Sequence, residues 1–489
     1  MTQQELEKYL WGAATALRGT IDAGDYKQYI FPLLFFKRIS DVYDEEFAAA
    51  LKISQGDMDY AGFAENHHFQ IPPGAHWNDV RETTVNVGTA LQKAMRDIEA
   101  SNPDTLFGIF GDASWTNKER LSDEILINLI EHYSQHQLNI ANVPDDKLGN
   151  AYEYLIKEFA DDSGHTAAEF YTNRTVVKLM TLIMDPQPGE SVYDPTCGSG
   201  GLLLNCALHL KDEGKEYRTL KLYGQEINLL TSAIARMNMF MHGIEEFSII
   251  RGDTLANPGL LENDALKTFN VILANPPYSI KAWDRKGFEN DPYGRNLWGT
   301  PSQGCADYAF QQHIHKSLDK ANGRSISLWP HGILFRDAEE TMRRKMIEQD
   351  LVECVIGLGP NLFYNSPMEA CLLITKTNKE SHKKGKVLFI NAVNEVRQDK
   401  NMGFLEEHHI AKIFNAYKDF SEQEDFAVLV SVDDILAKKG NMAINLYIRP
   451  NALNLADSIT FDVAYKRWID SSNILQSSMD TLFTTLSES

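Results

Sequence analysis

The chain has 489 residues, with 47 lysines and arginines against 68 aspartates and glutamates, a net charge of −21. Hydrophobic residues are 43% and charged residues 24%, which excludes fibrous and largely disordered classes. A chain this long holds a core without disulfide staples, and its acidic pI of about 5.1 excludes a wholly basic nucleic-acid grip, so any positive charge for such a partner is local or borrowed.

The first stretch reads as helical. Leu6, Leu10, Ala13 and Leu17 recur at the spacing of one helix face. Asp22-Ala23-Gly24-Asp25 makes a turn, and Ile30, Leu33, Leu34, Ile39 and Val42 form the apolar side of a second helix. The helical pattern returns from Leu121 to Leu138, after looser segments such as Gln70-Ile71-Pro72-Pro73-Gly74. Residues 1–146 are therefore expected as an N-terminal helical domain. Leu148, Tyr152, Leu155 and Phe159 predict a further helix ending at Asp161-Asp162-Ser163-Gly164.

The grammar then changes to short apolar runs alternating with helical patterns. Strands are predicted at Ser191–Tyr193, Leu220–Tyr223, Ser248–Ile250, Val271–Ala274, Ser325–Trp329, Val352–Ile356 and Leu372–Thr375. This is an α/β pattern: a doubly wound, mostly parallel sheet of seven strands, assigned to residues 147–440. Residues 441–489 are expected as a helical tail, where Trp468, Leu475, Met479, Leu482 and Leu486 space out a coiled-coil-like seam. That seam packs either on its own domain or on a partner helix.

Asp194-Pro195-Thr196-Cys197-Gly198-Ser199-Gly200-Gly201 follows the first strand and leads into the helical run Leu202–Leu210. It is not a clean dinucleotide fingerprint. Its glycines permit a sharp turn and close backbone approach, and Asp194 at the strand end suits a cationic group such as an amino-acid ammonium. Glu226 ends the second strand about 25 residues after Gly201, where a carboxylate commonly accepts both hydroxyls of a ribose. Asp253 ends the third strand and either accepts from an adenine amino group or closes an Asx turn.

Asn275-Pro276-Pro277-Tyr278 ends the fourth strand. Two prolines stiffen the backbone and remove two N–H donors. The Asn275 amide oxygen and the Pro276 carbonyl then suit one planar amino group. Accepting both its protons draws the nitrogen lone pair out of conjugation and makes it nucleophilic. The Tyr278 ring suits stacking on the same planar group. A ligand that carries ammonium, ribose and adenine together is S-adenosylmethionine.

With these motifs the chain resembles the modification (methyltransferase) subunit of type I restriction–modification systems over nearly its whole length. Leu10-Trp11-Gly12-Ala13-Ala14 and Phe35-Phe36-Lys37-Arg38-Ile39-Ser40-Asp41 resemble that family's helical domain. Glu169-Phe170-Tyr171-Thr172-Asn173-Arg174 resembles its cofactor segment, with Asn173 where the family usually has proline. Trp329-Pro330-His331-Gly332-Ile333-Leu334-Phe335 and Met442-Ala443-Ile444-Asn445-Leu446 resemble two later segments. The resemblance implies a Rossmann-like class I methyltransferase fold and methyl transfer from S-adenosylmethionine to adenine N6 in DNA. It implies cofactor contacts from residues 169–174 and from the glycine loop. It also implies a separate specificity subunit serving two such chains, and a restriction and translocation subunit in a larger complex.

Other features narrow the chemistry. Five cysteines without a CxxC pair suit a reducing compartment, and neither a signal peptide nor a membrane span is legible, so a cytoplasmic location is expected. His313 and His315 lie two apart, which on a helix points them to different faces, so no metal is expected. No Gly-x4-Gly-Lys-Ser/Thr loop is present, so the chain lacks the phosphate cradle of a translocating motor. Lys281, Arg285, Lys286 and Arg295 follow the catalytic turn and either touch DNA or face solvent. Two rivals stay in view: a protein glutamine methyltransferase, which shares the Asn-Pro-Pro-Tyr logic, and a non-catalytic scaffold that binds cofactor.

Overall fold

The structure is a computed structural model that describes residues 1–162, 171–362, 369–399, 402–448, 465–466, 468–473 and 475–479. The expected cofactor residues Glu169 and Phe170, and the seam residues Leu482 and Leu486, lie outside the described residues.

The N-terminal periodicity folds as read. Helix α1 (Gln3–Ala16) starts at a capping box in which Thr2 and Glu5 satisfy each other's backbone N–H. Helices α2 (Lys27–Ile53), α3 (Val87–Ser101) and α4 (Asp123–Tyr133) follow. Helix α4 is shorter than the periodic stretch predicts. After it the chain turns back, with Leu138 N–H on Asp41 and the Val143 carbonyl on the buried Arg38 guanidinium. Helix α5 (Asp145–Asp162) buries Leu148, Tyr152, Leu155 and Phe159 in the same core as α1 and α2. Ile234, Met237 and Met241 join that core from the far side, so one apolar cluster ties the helical part to the sheet part.

Nine strands form one sheet: β1 (Ser191–Asp194), β2 (Lys221–Glu226), β3 (Phe247–Arg251), β4 (Val271–Ala274), β5 (Arg324–Pro330), β6 (Val352–Leu358), β7 (Ala370–Lys376), β8 (Lys386–Ala392) and β9 (Ala427–Ser431). Their order is β9-β8-β6-β7-β5-β4-β1-β2-β3. All neighbours pair in parallel except at β7, which runs antiparallel to β5 and β6, and at the edge strand β9. The seven expected strands are present, and the count is corrected to nine. Strands β8 and β9 bury mainly branched and aromatic residues and extend the sheet beyond β6.

Helices α6 (Arg174–Met184), α7 (Gly201–Asp212), α8 (Leu229–Met241) and α9 (Asp307–Lys316) flank the sheet, with separate apolar cores on its two faces. Strand β1 sits between β2 and β4, where the winding direction reverses. In open α/β sheets this crevice, at the strands' carboxyl ends, receives ligands. Beyond β9, Met442, Ile444 and Ile448 are buried in the core on one sheet face. Trp468, Leu475 and Met479 stand exposed on helical segments. No described helix is long and apolar enough to cross a membrane.

Candidate active site

The glycine loop is a turn that only its own sequence permits. Gly200 has φ +80° and caps α7, a conformation in which an L side chain is strained. A Cβ at Gly201 would stand 1.9 Å from an Arg174 nitrogen, so a glycine is required for that guanidinium to pass beneath the loop.

Arg174 is the centre of the support. Its Nε and Nη2 donate to the two oxygens of Glu153, its Nη1 reaches the Thr172 carbonyl, and its guanidinium lies 4.5 Å above the Tyr171 ring. Burial opposes ionisation of Glu153, but the Arg174 guanidinium holds its carboxyl below the ordinary glutamate range. Asn238, fully buried in α8, donates from Nδ2 to Glu153 at 2.7 Å and to the Ser199 carbonyl at 3.0 Å. The helical part, the segment before α6 and α8 thus converge on one loop carbonyl. Glu153 and Asn238 were not legible as site residues, although a lone Asn within the apolar run of α8 is a signal that could have found it.

Beneath the loop, Glu226 accepts from Gly198 N–H at 3.0 Å and from Asn228 N–H at 2.8 Å. Asp194 is 1% exposed and accepts from Thr196 N–H at 3.0 Å. Burial pushes its carboxyl up to about 8, with Glu226 adding to the rise and the Thr196 N–H opposing it. The Thr196 hydroxyl is buried beside the Asp194 carboxyl and meets no other polar partner among the described residues.

The other expected residues divide by placement. Thr172, Arg174 and Asn275 line one cleft of about 300 Å³ together with Asp194, Thr196, Gly198, Ser199 and Gly201. Asn173 instead caps α6, accepts from Thr175 N–H at 3.0 Å and donates to the Gly403 carbonyl at 2.8 Å. Tyr171 is buried in the helical core. Asp253 Oδ1 accepts from Leu255 and Ala256 N–H at 2.9 and 3.0 Å, which closes a turn.

Asn275, at the end of β4, donates from Nδ2 to the Thr172 hydroxyl at 3.0 Å, which leaves its Oδ1 as the acceptor on the opposite side. The Tyr278 hydroxyl donates to that Oδ1. The Tyr278 ring sits 6.4 Å from Trp329, and burial pushes its phenol well above the ordinary tyrosine range, so it stays a neutral donor. In this chain by itself the tyrosine therefore addresses Asn275 with its hydroxyl edge.

Of the four cations after the turn, Arg295 is not a DNA contact. It is 2% exposed, pairs with Asp291 at 2.6 Å, and donates to the Thr254 and Leu255 carbonyls at 2.8 Å each. It anchors the loop to the segment after β3. Arg285 holds the Pro301 carbonyl at 2.9 Å, while Lys281 and Lys286 are exposed. His313 meets the Tyr193 hydroxyl at 3.0 Å and His315 stacks on Trp298 at 5.4 Å, so the two do not converge.

Donor chemistry along this edge fits S-adenosylmethionine: a buried hydroxyl, a buried carboxyl and an amide side chain line one crevice, and the Glu226 carboxylate lies under its glycine turn. Comparisons with known proteins agree. Residues 143–454 match the N-6 DNA methylase family, and residues 6–133 match the HsdM N-terminal domain. The type I restriction enzyme MjaVIII methylase subunit of Methanocaldococcus jannaschii is 31% identical, over 87% of this chain and 75% of that protein. The MpnII methylase subunit of Mycoplasma pneumoniae is 29% identical, over 91% of this chain and 90% of that protein. A solved type I restriction–modification methyltransferase subunit from Streptococcus thermophilus superposes with a TM-score of 0.79 at 31% identity, over 92% of this chain and all of that one. This chain belongs to the N-6 DNA methylase family and, within it, to the methylase subunits of type I restriction–modification systems.

Proposed function

We propose that the cleft beside β1 holds S-adenosylmethionine and that Asn275-Pro276-Pro277-Tyr278 receives a target adenine extruded from DNA. The chain is an adenine-specific DNA methyltransferase. Bound S-adenosylmethionine supplies an electrophilic methyl group. Asp194, once ionised, receives its ammonium, Glu226 its ribose hydroxyls, and Thr196 a polar group through its buried hydroxyl. Of the cofactor segment, Thr172 and Arg174 line that cleft, with Tyr171 and Asn173 holding the segment from behind.

Flipping the adenine out costs a few kcal/mol, which protein contacts must return. Asn275 Oδ1 and the Pro276 carbonyl accept the two amine protons and free the lone pair. Thr172 keeps the Asn275 amide turned so that oxygen, not nitrogen, faces the base. Pro277 stiffens the turn. Tyr278 gives up its bond to Asn275 and turns its ring onto the base. Most of the rate then comes from holding reactants in register.

The acidic chain draws its DNA grip from other subunits. We assign to it a specificity subunit that serves two methylase chains, double-stranded DNA, and a restriction and translocation subunit in the larger complex. Residues 1–146 and the exposed Trp468, Leu475 and Met479 are the docking surfaces, with residues 147–440 as the catalytic domain and 441–489 as the docking tail. The setting is the cytoplasm.

The observation that carries this reading is the convergence of Thr172, the glycine loop and Asn275 on one cleft. Labelled S-adenosylmethionine and plasmid DNA test it, with the chain alone, with its specificity subunit, and as Asn275→Ala in that complex. Label on adenine only with the partner, and lost in Asn275→Ala, is the expected result. Label persisting in Asn275→Ala overturns the assignment.

A further inference from the structure

The catalytic turn continues one residue past Tyr278. Ser279 has φ +51°, in the left-handed region that a residue with a Cβ rarely adopts without an outside hold. Two hydrogen bonds hold it: Ser279 N–H donates to Asp307 Oδ1 at 2.7 Å, and the Cys305 thiol donates to the Ser279 hydroxyl at 3.9 Å. Asp307 begins α9 and is completely buried.

A buried carboxylate needs a partner, and Arg336 supplies it. Arg336 Nη1 donates to Asp307 Oδ2 at 2.8 Å, and lies 3.0 Å from Glu339 Oε1 and 2.8 Å from Cys305 Sγ. Arg336 follows the Trp329–Phe335 segment, whose glycine now has a reason. A Cβ at Gly332 would stand 2.5 Å from Arg336 Nε, so only glycine leaves the guanidinium its place. Cys305, Asp307 and Glu339 bring donor atoms within 4.8 Å of one another, close enough to suggest a cation site. Arg336 already supplies that positive charge, bonded to all three, so the cluster is an arginine clamp.

We propose that Asp307 is a positioning residue for methyl transfer. Its carboxylate, held by Arg336, fixes the strained Ser279 peptide and through it sets where Asn275 and Tyr278 stand for the target base. The cofactor half of the cleft has its own supports and does not depend on this clamp. Charge-assisted hydrogen bonds to a buried carboxylate are short and directional, as this one is. A displacement of about 1 Å at the reacting groups is enough to cost about 10²-fold in rate. The proposal rests on the reading of Asn275–Tyr278 as the catalytic turn.

The test uses the complex with the specificity subunit and single-turnover methylation at saturating S-adenosylmethionine and DNA. Asp307→Asn keeps the size of the side chain and an acceptor for Ser279 but removes the charge that Arg336 holds. The expected result is a fall of about 10²-fold in the transfer rate at a temperature where the complex stays folded, with a lower melting temperature, as loss of a buried pair requires, but unchanged S-adenosylmethionine affinity. Adding Arg336→Met, which removes the now unmatched cation, is expected to restore part of the rate. A transfer rate in Asp307→Asn equal to wild type overturns the proposal. So does a parallel loss of rate, cofactor affinity and melting temperature, which marks a merely structural role. If Asp307→Asn does not assemble, Arg336→Lys keeps the positive charge, changes the contact, and is read the same way. Full activity in the Asn275→Ala control, by contrast, overturns the underlying reading of the turn.

Discussion

The two halves of the cleft are held in different ways. On the cofactor side, the glycine loop rests on a closed set of paired groups: Glu153 with Arg174, Asn238 on the Ser199 carbonyl, and Glu226 on two backbone N–H groups. On the base side, Asn275 is held by Thr172, engaged by Tyr278, and followed by a strained residue pinned by Asp307. The first half is built before any ligand arrives. The second has its acceptor occupied by the Tyr278 hydroxyl, which on the proposed reading yields to the target amine. A cofactor of fixed shape rewards a preformed cradle, whereas a base that enters from duplex DNA needs a receiver that moves.

The comparison breaks most sharply at Asn275. Asn275→Ala should lower the transfer rate by about 10²–10³-fold, the scale of one preorganised hydrogen-bonding group removed. Its S-adenosylmethionine affinity, measured by calorimetry, should be unchanged, because the cradle stands without it.

On the other side, Glu153→Gln leaves Arg174 without its carboxylate beneath the loop. Both side chains are about four-fifths buried, and breaking such a pair costs about 3–5 kcal/mol. A lower melting temperature and weakened cofactor binding are expected together, the reverse of the Asn275 signature.

Asp194 sharpens the contrast through pH. Its carboxyl is pushed up to about 8 in the folded chain, and it must ionise to receive an ammonium group. Cofactor affinity should therefore rise between pH 7 and 9, by up to about tenfold per unit below the folded pKa. Asp194→Asn should bind weakly and show a flat profile there. In the chain without ligand the sign is opposite. A raised carboxyl stabilises the fold below the ordinary carboxylate range, and that contribution declines as pH rises through about 8. Thermal melting across pH 5–9 reads it, with Asp194→Asn as reference.

The smallest effect is expected at Tyr278. Tyr278→Phe keeps the ring and frees the Asn275 oxygen, so the transfer rate should stay within roughly threefold of wild type. Tyr278→Ala removes the stacking face, worth about 1–3 kcal/mol per base, and should cost about 10-fold or more. Equal losses in both variants would mean that the hydroxyl, not the ring, does the work.

Much of this was legible in the chain. Strand-end motifs are local: Asp194, Glu226, Asp253 and Asn275 each end a strand that its apolar run announces, and a parallel sheet brings such ends to one edge. What a polar side chain touches was harder to read than its chemistry. Arg295 reads as a cation in a polar loop, yet Asp291 and two carbonyls bury it. Asp253 closes its own turn, and Asn173 caps a helix while reaching residue 403, because Asn and Asp bond equally well to nearby backbone. Glu153, Asp307 and Arg336 carry no local signal, since each acts on a segment brought near only by folding.

Periodicity and strand-end chemistry, both short-range properties, determined the helical N-terminus, the parallel core of the sheet and the cofactor and amine-binding motifs. Tertiary structure decided the sheet's extension to nine strands, the merging of α5 and α8 into one core, and which polar residues face the cleft rather than the scaffold. The reason is physical: a hydrogen bond or ion pair needs two groups in contact, and a sequence specifies each group's chemistry long before the fold settles which others it meets.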